Sequence, residues 1–150
     1  SGMGTTIVAA YMEEEAILHI AHVGDSRAYI IRNDEIRQIT LDHSWVNEQI
    51  QKRVLTQQDA RNHRWKNVIT RALGNKLNVD IDLASLKMQN GDYIIVCTDG
   101  LTSMLDDSEV LKTIKDVDGR LDKACKNLIK AANEKGGLDN ITVILLKFKE

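Results

Sequence analysis

Three aspartates have a sequence context that suits metal coordination. Asp25, Asp99 and Asp139 each lie close to a glycine, at the edge of an apolar segment typical of a buried strand. Carboxylates at strand ends can converge on one cavity, and carboxylate oxygens are the ligands that Mg²⁺ and Mn²⁺ prefer in proteins. The sequence therefore predicts that Asp99 and Asp139 meet in space and hold metal ions, and Asp25 is a further candidate with the same context.

An ordinary turn role remains open for each of these aspartates, because Asp beside glycine is common in turns. Other titratable residues are weaker candidates for a site. His19 and His22 fall on opposite faces of a strand, and His43 is expected at the entry to a helix. Asp80 and Asp82 are expected on a solvated strand face. The sequence contains no GxxxxGK[ST] loop, CxxC pair or nucleophile elbow.

Composition narrows the class of protein. The 150 residues predict a single domain over residues 1–150, and 43% apolar but only 4% aromatic residues predict an aliphatic core. Mixed charge with a net value of −2 gives no basic footprint for nucleic acid or anionic lipid. No apolar run approaches the roughly 20 residues that span a bilayer, so no membrane partner is expected. Neither a signal peptide nor a disulfide framework is predicted, which favours the cytoplasm.

The elements that must position the aspartates follow from the hydrophobic pattern. Strands are predicted over 4–12, 16–23, 28–32, 35–40, 79–86, 93–98 and 141–148. Helices are predicted over 45–53, from 56, in a short segment after Gly100, from a cap at Asp107 or Ser108 to 115, and over 121–134. The first four strands, joined by short turns, predict an antiparallel meander. Strands, then helices, then strands predict an α+β fold with an antiparallel β-sandwich flanked by helices.

Seven short motifs follow one another along the chain. They are Gly4-Thr5-Thr6, His22-Val23-Gly24-Asp25-Ser26-Arg27, Thr40-Leu41-Asp42-His43-Ser44, Ile69-Thr70-Arg71-Ala72-Leu73-Gly74, Gly91-Asp92, Thr98-Asp99-Gly100 and Gly137-Leu138-Asp139-Asn140-Ile141-Thr142. This series resembles the metal-dependent serine/threonine protein phosphatases of type 2C, in their bacterial form. The resemblance covers essentially the whole chain.

The resemblance implies a β-sandwich flanked by helices that hydrolyses phosphoserine and phosphothreonine. The family uses a binuclear Mg²⁺ or Mn²⁺ centre whose bridging water attacks phosphorus. By resemblance, Asp99 and Asp139 match the two C-terminal metal-ligand aspartates, and Asp25 helps Asp99 to hold a third, weaker metal. Asn140 is expected to orient Asp139. Arg27 is expected to support the sheet, with a role in the site left open.

The sequence also differs from the family's pattern in its N-terminal motifs. The family's N-terminal third carries an Arg-rich strand and an Asp-Gly loop that supplies a bridging aspartate, and neither is found here. The chain is therefore predicted to be the C-terminal portion of a catalytic domain that is incomplete at its N-terminus and weakly active or inactive alone. Residues 51–67 resemble the family's flap, which borders the substrate.

The expected partner is a phosphoprotein that is the substrate of a serine/threonine kinase, which implies signal transduction. Exposed sheet edges also predict self-association. The alternative is a non-catalytic regulatory or phosphoprotein-binding module on the same scaffold, but such a module has no need for Asp99 and Asp139. A Ca²⁺-stabilised structural domain is disfavoured, because the sequence lacks an EF-hand-type loop.

Overall fold

The computed structural model describes residues 2–117 and 119–150. Its strands are β1 (Ile7–Glu13), β2 (Ile17–Val23), β3 (Arg27–Arg32), β4 (Glu35–Gln38), β5 (Asp82–Lys87), β6 (Tyr93–Cys97) and β7 (Val143–Lys147). Its helices are α1 (Trp45–Gln51), α2 (Gln57–Asn62), α3 (Asp99–Thr102), α4 (Asp107–Lys115) and α5 (Leu121–Glu134). Among these described helices, none is both long enough and apolar enough to cross a bilayer.

The strands form two antiparallel sheets, ordered β1-β2-β5 and β4-β3-β6-β7. The predicted meander of four successive strands is wrong, because β2 and β3 lie in different sheets. The chain crosses from one sheet to the other over Gly24-Asp25-Ser26. Gly24 has a φ of +113°, and a Cβ atom there would lie 2.5 Å from Cβ of Thr6. Only glycine therefore fits this crossover, which places Asp25 between the two layers.

The second sheet is buried on both of its faces, as its central strands show. Ala28 and Ile30 of β3 pack with Leu18 and Ile20 of β2 in a core between the two sheets. The alternate side chains of β3 and β6 face α4 and α5 instead, in a second core that includes Tyr29, Ile95, Cys97, Ile114 and Leu128. Period-2 alternation puts successive side chains on opposite faces. The predicted α+β sandwich with flanking helices is therefore confirmed.

Local signals set the helix starts. Ser44 caps α1 through a hydrogen bond from the backbone N–H of Asn47, and Thr56 begins α2 with the predicted capping box. The cap of α4 is Asp106, rather than the predicted Asp107 or Ser108, because its side chain pairs reciprocally with Glu109. Strand β5 begins at Asp82, three residues later than predicted.

Candidate metal centre

The register of the central strands brings Asp25 and Asp99 to the same end of the sandwich. Arg27 and Cys97 are the final pair of the β3–β6 ladder. Asp25 lies two residues before Arg27, and Asp99 lies two residues after Cys97, so the two aspartates occupy equivalent positions just beyond the paired strands. In an antiparallel pair such positions face each other. Both side chains are half-buried.

Asp139 is brought to this end of the sandwich by a set of hydrogen bonds at Thr98. The Thr98 hydroxyl donates to the carbonyl of Asn140 at 3.1 Å and accepts from the backbone N–H of Thr142 at 3.0 Å. The Thr98 N–H donates to the carbonyl of Thr142 at 3.1 Å. Asn140 contacts its neighbour through the main chain, since its N–H donates to Oδ1 of Asp139 at 2.7 Å. The segment that carries Asp139 is therefore tied to the residue that precedes Asp99.

The carboxylates of this group influence one another's charge. Burial, and next the Asp99 carboxylate, raise the pKa of Asp25 to about 6. Burial, and next the Asp139 carboxylate, raise the pKa of Asp99 above its usual value. Like-charged carboxylates raise each other's pKa unless a cation intervenes, and a set of oxygen donors suits a hard divalent ion. Among the described residues, the oxygens of the three aspartates do not all lie within 4.8 Å of one another, so the three carboxylates form a loose group rather than a closed set of ligands.

Replacing Asp25 with Asn is expected to stabilise the metal-free chain at neutral pH. Between pH values near 3.8 and 6 the folded state keeps the Asp25 proton that the unfolded state releases, so ionisation lowers the free energy of unfolding as pH rises. The gain from Asp25→Asn should be about 1 to 2 kcal/mol above pH 6, after allowance for solvent, and should vanish towards pH 4. Urea unfolding of both proteins in EDTA, near pH 4 and above pH 6, measures this gain in stability. If Asp25→Asn changed the free energy of unfolding by the same amount near pH 4 and above pH 6, ionisation of Asp25 would not be the cause.

Gly100 allows the close approach of the two chain segments. A Cβ atom at this position would lie 2.9 Å from the carbonyl carbon of Asn140 and closer still to its oxygen. Because the obstacle is backbone, Gly100→Ala is expected to cost about 1 to 2 kcal/mol and to move Asp139 away from Asp99. Thermal unfolding and Mn²⁺ titration measure the two effects. Ser103→Ala, at an exposed position just after α3, is the control and should change neither.

Arg27 supports the sheet, as expected. Its guanidinium donates to both carboxylate oxygens of Asp42, from Nε to Oδ1 at 2.9 Å and from Nη2 to Oδ2 at 2.7 Å. Its Nη1 donates to the Tyr29 hydroxyl at 2.9 Å. Burial alone would lower the pKa of Arg27, but the Asp42 carboxylate outweighs burial and keeps it raised. The pair holds β3 against the segment that leads into α1.

The sequence did not predict a second polar cluster, formed by His22, His43 and Asp82. The rings of His22 and His43 stack with centroids 4.6 Å apart, and Nε2 of His43 lies 3.1 Å from Oδ2 of Asp82 without being aligned for a hydrogen bond. Arg71 donates to Oδ1 of Asp82 at 2.6 Å. Asp82 keeps 40% of its side-chain exposure, as expected for a solvated strand face, while it contacts both Arg71 and His43. His22 and Asp82 are directly paired across β2 and β5, and this pairing would have indicated the cluster. The pairing cannot be deduced without knowing the strand register.

Hydrogen bonding makes this cluster unsuited to metal. Nδ1 of His43 accepts the backbone N–H of Gly24 at 3.0 Å, so in the neutral ring Nε2 carries the proton and has no lone pair to offer. Nε2 of His22 lies 2.9 Å from the Leu41 carbonyl and must donate to it. Burial lowers the pKa of His43, which favours this neutral form. The cluster instead supports Gly24, the residue that precedes Asp25.

Comparison with known proteins relates this arrangement to a family. The family model for protein phosphatase 2C matches residues 1–141. The serine/threonine phosphatase stp of Listeria innocua is 42% identical over 147 residues, which are 98% of this chain and 58% of the relative. The chain thus spans less than two thirds of the length of this curated relative.

Solved structures give the same relationship. The structure of a Streptococcus agalactiae serine/threonine phosphatase matches with a TM-score of 0.92 at 42% identity, covering 99% of this chain and 60% of that one. The catalytic domain of the phosphatase PstP, in complex with two manganese ions, matches with a TM-score of 0.87 at 30% identity, covering 99% of this chain and 60% of that one.

Proposed function

Because the chain belongs to the protein phosphatase 2C family, we propose that it forms part of an enzyme that hydrolyses phosphoserine and phosphothreonine in proteins. The observation that carries this proposal is the grouping of Asp25, Asp99 and Asp139 at one end of the sandwich, with raised pKa values at Asp25 and Asp99. The substrates would be phosphoproteins made by serine/threonine kinases, and the enzyme would then act in signal transduction. Both cysteines are free thiols, which supports a cytoplasmic location.

We propose Mn²⁺ or Mg²⁺ as the metal, in a binuclear centre held by Asp99 and Asp139 with a third ion at Asp25 and Asp99. The related PstP domain with two manganese ions supports this choice. When bound, such ions lower the pKa of water and neutralise charge on the phosphoryl group. The chain's own contribution is to hold the carboxylates in place, through the crossover at Gly24 and the hydrogen bonds of Thr98.

We further propose that the chain is the C-terminal portion of a longer catalytic domain and is weakly active or inactive alone. Without the bridging aspartate that the resemblance implies, each ion would have fewer carboxylate ligands and would be held less tightly. Turnover of p-nitrophenyl phosphate in millimolar Mn²⁺ tests this, with Asp99→Ala as the control. Robust turnover that Asp99→Ala abolishes would show a self-sufficient enzyme.

Sequencing the gene upstream of residue 1 tests for the missing strand and Asp-Gly loop.

A binding assay separates the enzyme from a non-catalytic module. A longer chain that carries the missing motifs should release phosphate from a phosphothreonine peptide in Mn²⁺, and it should lose this activity in EDTA. A longer chain that binds the peptide with millimolar Mn²⁺ present but never releases phosphate would instead support the regulatory, phosphoprotein-binding alternative.

Self-association is expected through the first sheet, whose edges are β1 and β5. Tyr11 of β1 is 67% exposed and Leu83 of β5 is 79% exposed, so apolar side chains and unpaired backbone lie together at these edges. Sedimentation velocity should show a dimer that grows with concentration, and the variant with Tyr11→Lys and Leu83→Lys should be monomeric. Val54→Lys, at a 66% exposed position outside this sheet, should leave the dimer unchanged. A clean monomer at high concentration would contradict the proposal.

A further inference from the structure

The flap, residues 51–67, concentrates positive charge that the rest of the chain lacks. Its cationic side chains are Lys52, Arg53, Arg61, Arg64 and Lys66, and all five are exposed. Its single carboxylate, Asp59, is already bonded to Thr56 in the capping box of α2. The whole chain carries a net charge of −2, so carboxylates outnumber cations outside the flap. The flap is therefore a basic patch on an otherwise acidic protein.

Within the part of the chain that the structure describes, these five cations have no anionic partner. Over residues 2–117 and 119–150, none of them lies within 4.0 Å of a carboxylate, whereas Arg27, Arg32 and Arg71 are all paired. The guanidinium of Arg64 instead lies 4.5 Å from the ring centroid of Trp65. An arginine held over an aromatic ring keeps its outward N–H groups free for an anion from another molecule.

An aromatic cluster supports the basic patch. Trp45 at the start of α1 stacks on His63 with centroids 4.8 Å apart, and Trp65 meets Trp45 edge-on at 4.7 Å. Trp65 remains 41% exposed. Tryptophan and arginine are the residue types that most often dominate binding energy at protein interfaces. The flap therefore offers a fixed apolar anchor beside unpaired positive charge.

Two backbone hydrogen bonds join the base of the flap to the segment that carries Asp25. The backbone N–H of Trp45 donates to the carbonyl of Val68 at 2.9 Å, which closes the flap onto the start of α1. Two residues earlier, the N–H of His43 donates to the carbonyl of Gly24 at 3.0 Å, and Gly24 precedes Asp25. The base of the flap is therefore linked, through the start of α1, to the residue that precedes Asp25.

From this arrangement we infer that the flap binds an acidic stretch of the protein substrate, next to the phosphorylated residue. The inference rests on the proposed function, since it names the kind of phosphoprotein that the site would take. A short acidic segment matches one compact basic patch. A long polyanion such as a nucleic acid matches it less well, because the rest of the chain carries an excess of carboxylates.

The chain offers an intrinsic probe for this test. Its two tryptophans, Trp45 and Trp65, both belong to the aromatic cluster, so all tryptophan fluorescence reports on the flap. The ligand is an unphosphorylated peptide rich in glutamate, and the matched ligand is the same peptide with glutamine in place of glutamate. Titrations in EDTA keep the measurement independent of metal and of phosphate hydrolysis.

The glutamate peptide should change the fluorescence with saturation, and its affinity should fall as salt rises from about 0.05 M to about 0.3 M. The variant with Arg61→Glu and Arg64→Glu should bind roughly tenfold more weakly or worse. The control variant, with Lys123→Glu and Lys126→Glu at exposed positions on α5, has the same charge change and should bind normally.

Three results would overturn the inference. The glutamate peptide could fail to change the fluorescence, the glutamine peptide could bind equally well, or the α5 variant could lose as much affinity as the flap variant. Tighter binding of a single-stranded oligonucleotide than of the peptide would assign the patch to nucleic acid instead. If the peptide binds as expected while the longer enzyme proves inactive, the proposed function fails and the acidic-segment site stands.

Discussion

Asp99→Asn is expected to weaken Mn²⁺ binding by more than ~100-fold, which is the upper end of the loss caused by changing a residue that only orients a ligand. Asp99 is the central residue of the three aspartates. Its carboxylate raises the pKa of Asp25, and the Asp139 carboxylate raises the pKa of Asp99. Loss of Asp99 therefore removes a ligand from each proposed ion. Isothermal titration with MnCl₂ measures the affinity, and electron paramagnetic resonance of free Mn²⁺ gives an independent value.

The matched control is Asp116→Asn, which removes the same charge at an exposed position after α4. It should bind Mn²⁺ as the unchanged chain does. Retention of affinity in Asp99→Asn would show that the three aspartates serve only as turn residues, which the sequence left open. Equal losses in both variants would indicate a general effect of net charge rather than a site.

Asp42→Ala is expected to cost about 2 to 3 kcal/mol of folding free energy. The change leaves the Arg27 guanidinium without its bidentate partner and leaves the Gln38 amide without an acceptor at Oδ1. Breaking a fully buried pair costs about 3 to 5 kcal/mol. The Arg27 side chain retains 28% of its exposure, which lets water offset part of the loss. Urea unfolding measures the change.

The comparison for this variant is Glu134→Ala, which removes an exposed partner of Lys130 on α5 at a separation of 3.7 Å. An exposed pair at this spacing contributes about 0.3 to 0.5 kcal/mol. A cost for Asp42→Ala no larger than this would mean that Arg27 finds another partner. Asp25 lies two residues away and would be the acceptor to examine.

Much of the fold could be predicted because it depends on short-range signals. The apolar runs of β3 and β6 and the helical spacing of Ala124, Leu128 and Ala132 on α5 are visible in the sequence, and the last three are fully buried. The Thr56 capping box was also predicted. These features depend on neighbours within a few positions of one another.

Features that depend on strand pairing could not be predicted in the same way. The crossover at Gly24 looked like an interruption within one sheet, and only the close contact with Thr6 shows why the chain changes layer there. The cluster of His43 with Asp82 joins residues that are distant in sequence, and neither residue has an unusual local context. The three aspartates could be grouped from the sequence because each lies close to a glycine at the edge of a strand. Their positions relative to Asp99 could be known only from the strand register.

The crossover at Gly24-Asp25-Ser26 has a consequence for synthesis. Domains are delivered from the ribosome N-terminus first, so Asp25 emerges while the strands that will face it are still to come. Asp99 follows with β6, and Asp139 comes only with the last strand, whose pairing completes the hydrogen bonds of Thr98. A chain that stalls between β6 and Asp139 would keep three strands of its second sheet yet lack one of the three carboxylates. The proposed metal centre could therefore form only after Asp139 has emerged.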